Sequence, residues 1–149
     1  MKPLYVLNGP NLNMLGHREP AIYGAETLET IESRCKARAA LHGLDIVFRQ
    51  SNIEGELVGL VQEARDKASG IALNAGAYTH TSVALHDALK ITGLPAVEVH
   101  LSNVHKREEF RHKSYIAPAV NGVICGFGAN SYELAIDALA HILQPYQKA

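Results

Sequence analysis

Short apolar runs alternate along this chain with stretches of helical period. Leu4 to Leu7, Ile46 to Phe48, Ile71 to Leu73, Ala96 to Val99 and Val123 to Cys125 are the apolar runs. They lack the polar alternation of a half-exposed sheet, so they predict buried strands covered on both faces. Between them lie four stripes with the spacing of a helix face. The first is Leu28, Ile31, Cys35 and Ala39, with Thr27 as the predicted N-cap. The second is Leu57, Leu60, Val61, Ala64 and Ala68, with Asn52 as the predicted cap. Leu85, Ala88 and Leu89 form the third, which ends at Gly93-Leu94-Pro95 as helices tend to end. Leu134, Ala138, Leu139 and Ile142 form the fourth, ending before Pro145.

The order is βαβαβαβ, an irregular stretch, then βα. That predicts an α/β fold: a doubly wound, five-stranded parallel sheet with helices on both faces and flavodoxin-like strand order. The irregular stretch, Leu101 to Pro118, carries the charged run Lys106-Arg107-Glu108-Glu109-Phe110-Arg111. A short helical turn is expected there, with Lys106, Arg107, Glu108 and Glu109 solvated. No repeat, linker or low-complexity segment interrupts the pattern, and 149 residues predict a single domain over 1–149.

Composition narrows the partners. The net charge is −1 and no basic run occurs, which disfavours nucleic acid, whose binding needs a clustered positive face. No apolar run approaches the ~20 residues of a membrane span. Cys35 and Cys125 are far apart, without CxxC or zinc spacing, so they read as buried free thiols of a reducing compartment. The N-terminus has no signal-type charged and apolar regions, and a cytoplasmic protein is expected.

Polar residues cluster just past the strands, where open α/β sheets keep their ligand sites. The first strand is followed by Asn8 to Gly24, NGPNLNMLGHREPAIYG, which supplies Asn11, Arg18 and Tyr23. The third supplies Asn74 and His80; the fourth supplies His100 and Ser102, with Arg111 beyond. This set of cations, amides and imidazoles suits a small anionic, hydroxylated substrate. A tyrosine normally titrates near 10, and about 3 units of lowering requires roughly 4 kcal/mol of preference for the phenolate. One guanidinium at about 4 Å supplies roughly that at an effective dielectric near 20, so Arg18 and Tyr23 can form an activated base. Glu98 lies two residues before His100, on the same face of its strand, and can orient the imidazole.

Other chemistries fit less well. Neither Ser82 nor Ser102 sits in a G-x-S-x-G elbow. The histidines show no HExxH or HxH spacing, so no metal site is expected, and His17, His42 and His141 read as surface residues. Gly126-Phe127-Gly128 is half of a dinucleotide fingerprint and reads better as a tight strand-to-helix turn. No lysine falls inside a strand, which disfavours imine catalysis.

Three segments in order complete the picture: the Asn8–Gly24 loop, Asn74-Ala75-Gly76-Ala77-Tyr78-Thr79-His80-Thr81-Ser82, and Val97-Glu98-Val99-His100-Leu101-Ser102-Asn103. Together they resemble the type II dehydroquinases, from about Leu4 to Leu143. The chain departs from that pattern at Ile53, Ala75, His86 and Ser131, where His, Pro, Arg and Gly are expected. The resemblance implies a cofactor-free lyase that dehydrates 3-dehydroquinate to 3-dehydroshikimate by anti elimination through an enolate, in the shikimate pathway or in quinate catabolism. It implies Tyr23 as base, activated by Arg18, His100 as general acid oriented by Glu98, and Asn11 at the enolate oxygen. Asn74, His80, Leu101, Ser102 and Arg111 hold the substrate in this reading. Trimers grouped into dodecamers are implied too, with Asp87 reaching a neighbour's site. Leu15 to Gly24 is expected to close as a lid. Two other readings remain: a non-enzymatic flavodoxin-like binding module, and a metal-dependent hydrolase.

Overall fold

The computed structural model describes residues 1–17, 19, 21 and 25–144. Five parallel strands form one sheet: β1 (Leu4–Asn8), β2 (Ile46–Gln50), β3 (Gly70–Asn74), β4 (Ala96–His100) and β5 (Gly122–Cys125), in the order β2-β1-β3-β4-β5. Every residue of β1, β3 and β4 is buried, in β4 including Glu98 and His100. Alternate side chains serve opposite faces. Leu4, Val6, Ala72, Val97 and Val99 pack with Ile31, Cys35, Ala39, Ala135, Ile136 and Leu139 of helices α1 (Leu28–Ala40) and α4 (Asn130–Leu143). Tyr5, Leu7, Ile71 and Leu73 pack with Leu57, Val61, Leu85 and Leu89 of α2 (Glu54–Lys67) and α3 (Val83–Thr92).

Local chemistry sets the helix ends. The Thr27 hydroxyl accepts from the Thr30 backbone N–H at 3.3 Å and caps α1 as predicted. Gly93, at φ 66°, closes α3 in the left-handed region that glycine adopts without penalty. The predicted cap of α2 is corrected. Ile53 stands at that position with no side-chain cap bond, and Asn52 instead accepts from the Asn11 backbone N–H at 3.0 Å. The amide that sequence reading spent on a helix ties the loop after β1 to the loop after β2.

One of the two thiols expected to be buried differs. Cys35 is fully buried, and burial pushes its thiol up to about 12. Cys125 is only half-buried, because β5 is a sheet edge. His17 and His141 are exposed, whereas His42 is half-buried and bonds Asp137 at 2.8 Å.

The order places β1 and β3 side by side in register, with Asn8 opposite Asn74. From β1 the chain moves to β2 on one side; after β3 it moves to β4 on the other. Their carboxyl ends therefore flank a switch point, where a crevice opens. The two loops leaving it touch. Gly9 N–H donates to Asn74 O at 2.7 Å, and a Cβ on Gly9 would lie 2.3 Å from Ala75 O. Only glycine fits that approach.

Candidate active site

The crevice is a cavity of about 130 Å³ lined from three strand ends. Pro10, Asn11 and Leu12 come from the loop after β1; Asn74, Gly76, Ala77 and His80 follow β3; His100 to Ser102, Val104, Arg107 and Arg111 follow β4. Sequence reading gathered Asn11, Asn74, His80, His100, Leu101, Ser102 and Arg111 here, and the structure brings all seven together. Arg18 and Tyr23, with half of the expected lid, lie outside the described residues. Asp87 is exposed on α3 and is not among the residues lining this cavity.

At the floor, Asn74 and its neighbours form a closed network. Tyr132 Oη donates to Asn8 Oδ1 at 2.7 Å and accepts from Asn74 Nδ2 at 2.9 Å. Asn74 Oδ1 accepts from Gly76 N–H at 3.1 Å, and Asn8 Nδ2 donates to Arg49 O at 3.0 Å. Tyr132 is completely buried, and desolvation raises its phenol well above the ordinary range, so it stays neutral. The network fixes the rotamer of Asn74 while leaving one of its amide hydrogens for a ligand.

Glu98 and His100 point to the same face of β4, as two-residue spacing in a strand dictates. Glu98 is 2% exposed and His100 6%. His100 Nε2 donates to Glu98 Oε2 at 2.7 Å, leaving Nδ1 as the nitrogen that can serve a ligand. His80 stacks on His100, with ring centroids 6.5 Å apart. Its Nδ1–H donates to Lys113 O at 2.7 Å, so Nε2 is the free end of that ring.

The cationic wall departs from expectation. The charged run predicts a solvated Arg107, yet Arg107 lines the cavity with its side chain only 14% exposed. Its Nη1 lies 3.5 Å from Ser102 Oγ. The fold of 104–111 explains the inversion. Two short 3₁₀ turns, Val104–Lys106 and Glu109–Arg111, bury Val104 and bring Arg107 and Arg111 inward. Glu108 stays outside and accepts from Arg111 Nε at 2.6 Å. Its carboxyl is held below the usual range, first by its own backbone N–H and then by Arg111. Arg111 keeps its Nη groups for a ligand. The signal available in the sequence was the i, i+4 spacing of the two arginines around an acidic residue.

The four departures have local explanations. Ala75 is buried where Gly9 approaches; Ile53 is exposed. His86 Nδ1–H donates to Tyr115 O at 2.7 Å and so ties α3 to the loop after β4. Ser131, fully buried, accepts from Phe127 N–H at 3.0 Å and closes the tight turn in which Gly126 and Gly128 have positive φ. Among the described residues, no group of three or more His, Cys, Asp or Glu side chains converges to hold a metal, and no helix is long and apolar enough to cross a membrane.

Known proteins similar to this chain are numerous. The sequence profile of the family described as dehydroquinase class II matches residues 2–140. A Rhizobium johnstonii protein named 3-dehydroquinate dehydratase is 66% identical over 139 residues, covering 93% of this chain and 96% of the relative. The crystal structure of the type II dehydroquinase from Propionibacterium acnes superposes with a TM-score of 0.90 at 41% identity, over 94% of this chain and 97% of the other. That of the type II dehydroquinase from Butyrivibrio crossotus also gives 0.90, at 44% identity, over 93% and 97%. The matched sequence spans nearly the whole chain and includes every strand end that builds the crevice, so the chain belongs to the class II dehydroquinase family.

Proposed function

We propose that this chain dehydrates 3-dehydroquinate to 3-dehydroshikimate by anti elimination through an enolate. The observation that carries the reading is the buried Glu98–His100 pair at the end of β4, opening on a crevice walled by two arginines. Tyr23, as a phenolate favoured by Arg18, takes the proton from the carbon next to the ketone. Negative charge moves to the ketone oxygen, where the Asn11 amide stabilises it, directly or through a water. The enolate then collapses to the enone as the β-hydroxyl leaves. His100 gives that hydroxyl its proton, and water departs. Solvent exchange afterwards takes the proton from Tyr23 and returns one to His100.

Binding follows from the remaining walls. Arg107 and the Nη groups of Arg111 match a carboxylate. The spare amide hydrogen of Asn74, the free Nε2 of His80 and the backbone N–H groups of Leu101 and Ser102 match ring hydroxyls. The ketone already acidifies the proton removed, so the residues suffice without a cofactor. A non-enzymatic binding module explains the pocket but gives the buried Glu98–His100 pair nothing to do.

We assign the assembly to trimers grouped into dodecamers, with Asp87 serving a neighbouring site. Its exposure on α3, away from the cavity of its own chain, supports this. Two free cysteines, one fully buried, support a cytoplasmic location. The experiment that tests the activity is a continuous assay of enone absorbance after adding 3-dehydroquinate. A rise proportional to enzyme is expected; no rise with folded protein overturns the proposal.

A further inference from the structure

We infer that Ser114 is a positioning residue for this reaction: its hydroxyl proton holds Glu98 in the orientation that holds the His100 ring. The inference rests on the dehydration reading above and adds a residue to it. Ser114 lies in the loop after β4, 16 residues beyond Glu98. Its Oγ is 2.6 Å from Glu98 Oε1. Glu98 Oε2 is the oxygen that accepts from His100 Nε2 at 2.7 Å. The carboxylate is therefore gripped at both oxygens, with 2% of its residue exposed.

The direction of each bond follows by elimination. A serine hydroxyl has one hydrogen and two acceptor positions. Ser114 Oγ receives Ile116 N–H at 3.1 Å and Ala117 N–H at 2.9 Å, and both of these groups can only donate. Both acceptor positions are filled, so the single hydroxyl hydrogen points at Glu98. The two N–H groups draw density from the oxygen and make it a stronger donor. Glu98 thereby accepts from Ser114 at Oε1, beside the bond from His100 Nε2 at Oε2. That leaves the imidazole its other nitrogen for the leaving hydroxyl.

A turn cap alone would need only the two bonds to Ile116 and Ala117. The third bond reaches back to a buried carboxylate on a different element. It makes the start of the Ala117–Ala119 turn a brace for the acid pair. A buried carboxylate with one oxygen unsatisfied is costly, and the side chain or the ring would move to relieve it. A small displacement of a general acid lowers the rate of the chemical step more than it weakens binding.

The test is steady-state kinetics with 3-dehydroquinate on the full chain as Ser114→Ala, Ser114→Thr, Glu98→Gln and the Ser114→Ala/Glu98→Gln double variant. General acids contribute about 10²–10⁴-fold, so Ser114→Ala should lower kcat at least ~10-fold with KM within ~3-fold. Ser114→Thr keeps the hydroxyl and should restore kcat to within ~3-fold of wild type. In the Glu98→Gln background, Ser114→Ala should lower kcat by less than ~2-fold, because residues acting as one unit are not additive. Should the alanine chain not fold, Ser114→Cys, a weaker donor of similar shape, carries the same comparisons. A Ser114→Ala or Ser114→Cys kcat within ~2-fold of wild type, or a loss in the Glu98→Gln background as large as in wild type, overturns the inference. Wild-type chain without turnover overturns the dehydration reading itself, so the two failures are distinct.

Discussion

Removing one oxygen atom, by Tyr132→Phe, probes how the pocket floor is held. The phenyl ring fills the same space, so no cavity opens beyond the hydroxyl. What changes is the closed network: Asn8 Oδ1 loses its donor and Asn74 Nδ2 loses its acceptor. Asn8 is 0% exposed and Asn74 3%, so water does not easily replace the lost partner. Each buried group left unsatisfied costs about 1–3 kcal/mol. The sum is roughly 2–6 kcal/mol, with about 1 kcal/mol returned by burying a less polar ring. With a urea m-value of about 2 kcal/mol/M, a net loss of ~1–5 kcal/mol lowers the unfolding midpoint by about 0.5–2.5 M. Both chains are measured at one protein concentration, because assembly contributes to apparent stability. The network also sets the rotamer of Asn74, so KM for 3-dehydroquinate should rise as well. A midpoint within ~0.2 M of wild type would refute the reasoning, because both amides would then have other partners.

Tyr23→Phe should remove nearly all turnover and leave substrate affinity within a few-fold, since the base acts in the transition state; a tenth of wild-type kcat remaining in the steady-state assay would put the base elsewhere. Co-expressing Tyr23→Phe with Asp87→Asn chains should restore about a quarter of wild-type activity, the fraction of sites that draw both intact residues from different chains. Two inactive parents whose mixed assemblies stay inactive, or an active Asp87→Asn chain, would contradict a shared site. Asp137 is held below its ordinary carboxyl range chiefly by the Arg38 bond, with His42 adding to it. A lowered folded-state pKa contributes stability above the unfolded value near 4, lost as pH falls through the folded one. Asp137→Asn should therefore be less stable at neutral pH, by under about 1 kcal/mol for so exposed a pair, with the gap narrowing below pH ~4 in thermal melts.

Most of the fold was legible because its three central strands are buried on both faces, although the edge strands β2 and β5, expected to be buried too, are partly exposed. Apolar runs at β1, β3 and β4, interrupted only by Glu98, mark a parallel sheet, and a parallel sheet with intervening helices leaves few topologies. The strand ends then place Asn11, Asn74, His80 and His100 around one crevice without further assumptions. Arg107 was hidden for a physical reason. A charged run reads as solvated unless something turns it inward, and what turns it is tertiary: the burial of Val104 and two 3₁₀ turns. Asn52 was misplaced by the same kind of competition, because an amide before a helix can cap it or bond a neighbouring loop equally well. Ser114 gave no sequence signal, since only the return of the chain to Glu98 distinguishes it from any other turn serine.

The most direct measurement of the central claim is enone absorbance with purified chain and 3-dehydroquinate, run with and without a chelator on chain previously incubated with borohydride in the presence or absence of substrate and then freed of both. A cofactor-free elimination through an enolate predicts the same linear rise under all four conditions, because no imine is there to be trapped and no metal takes part. Folded protein that produces no rise contradicts dehydration. Activity destroyed by borohydride only in the presence of substrate contradicts the enolate route and points to an imine.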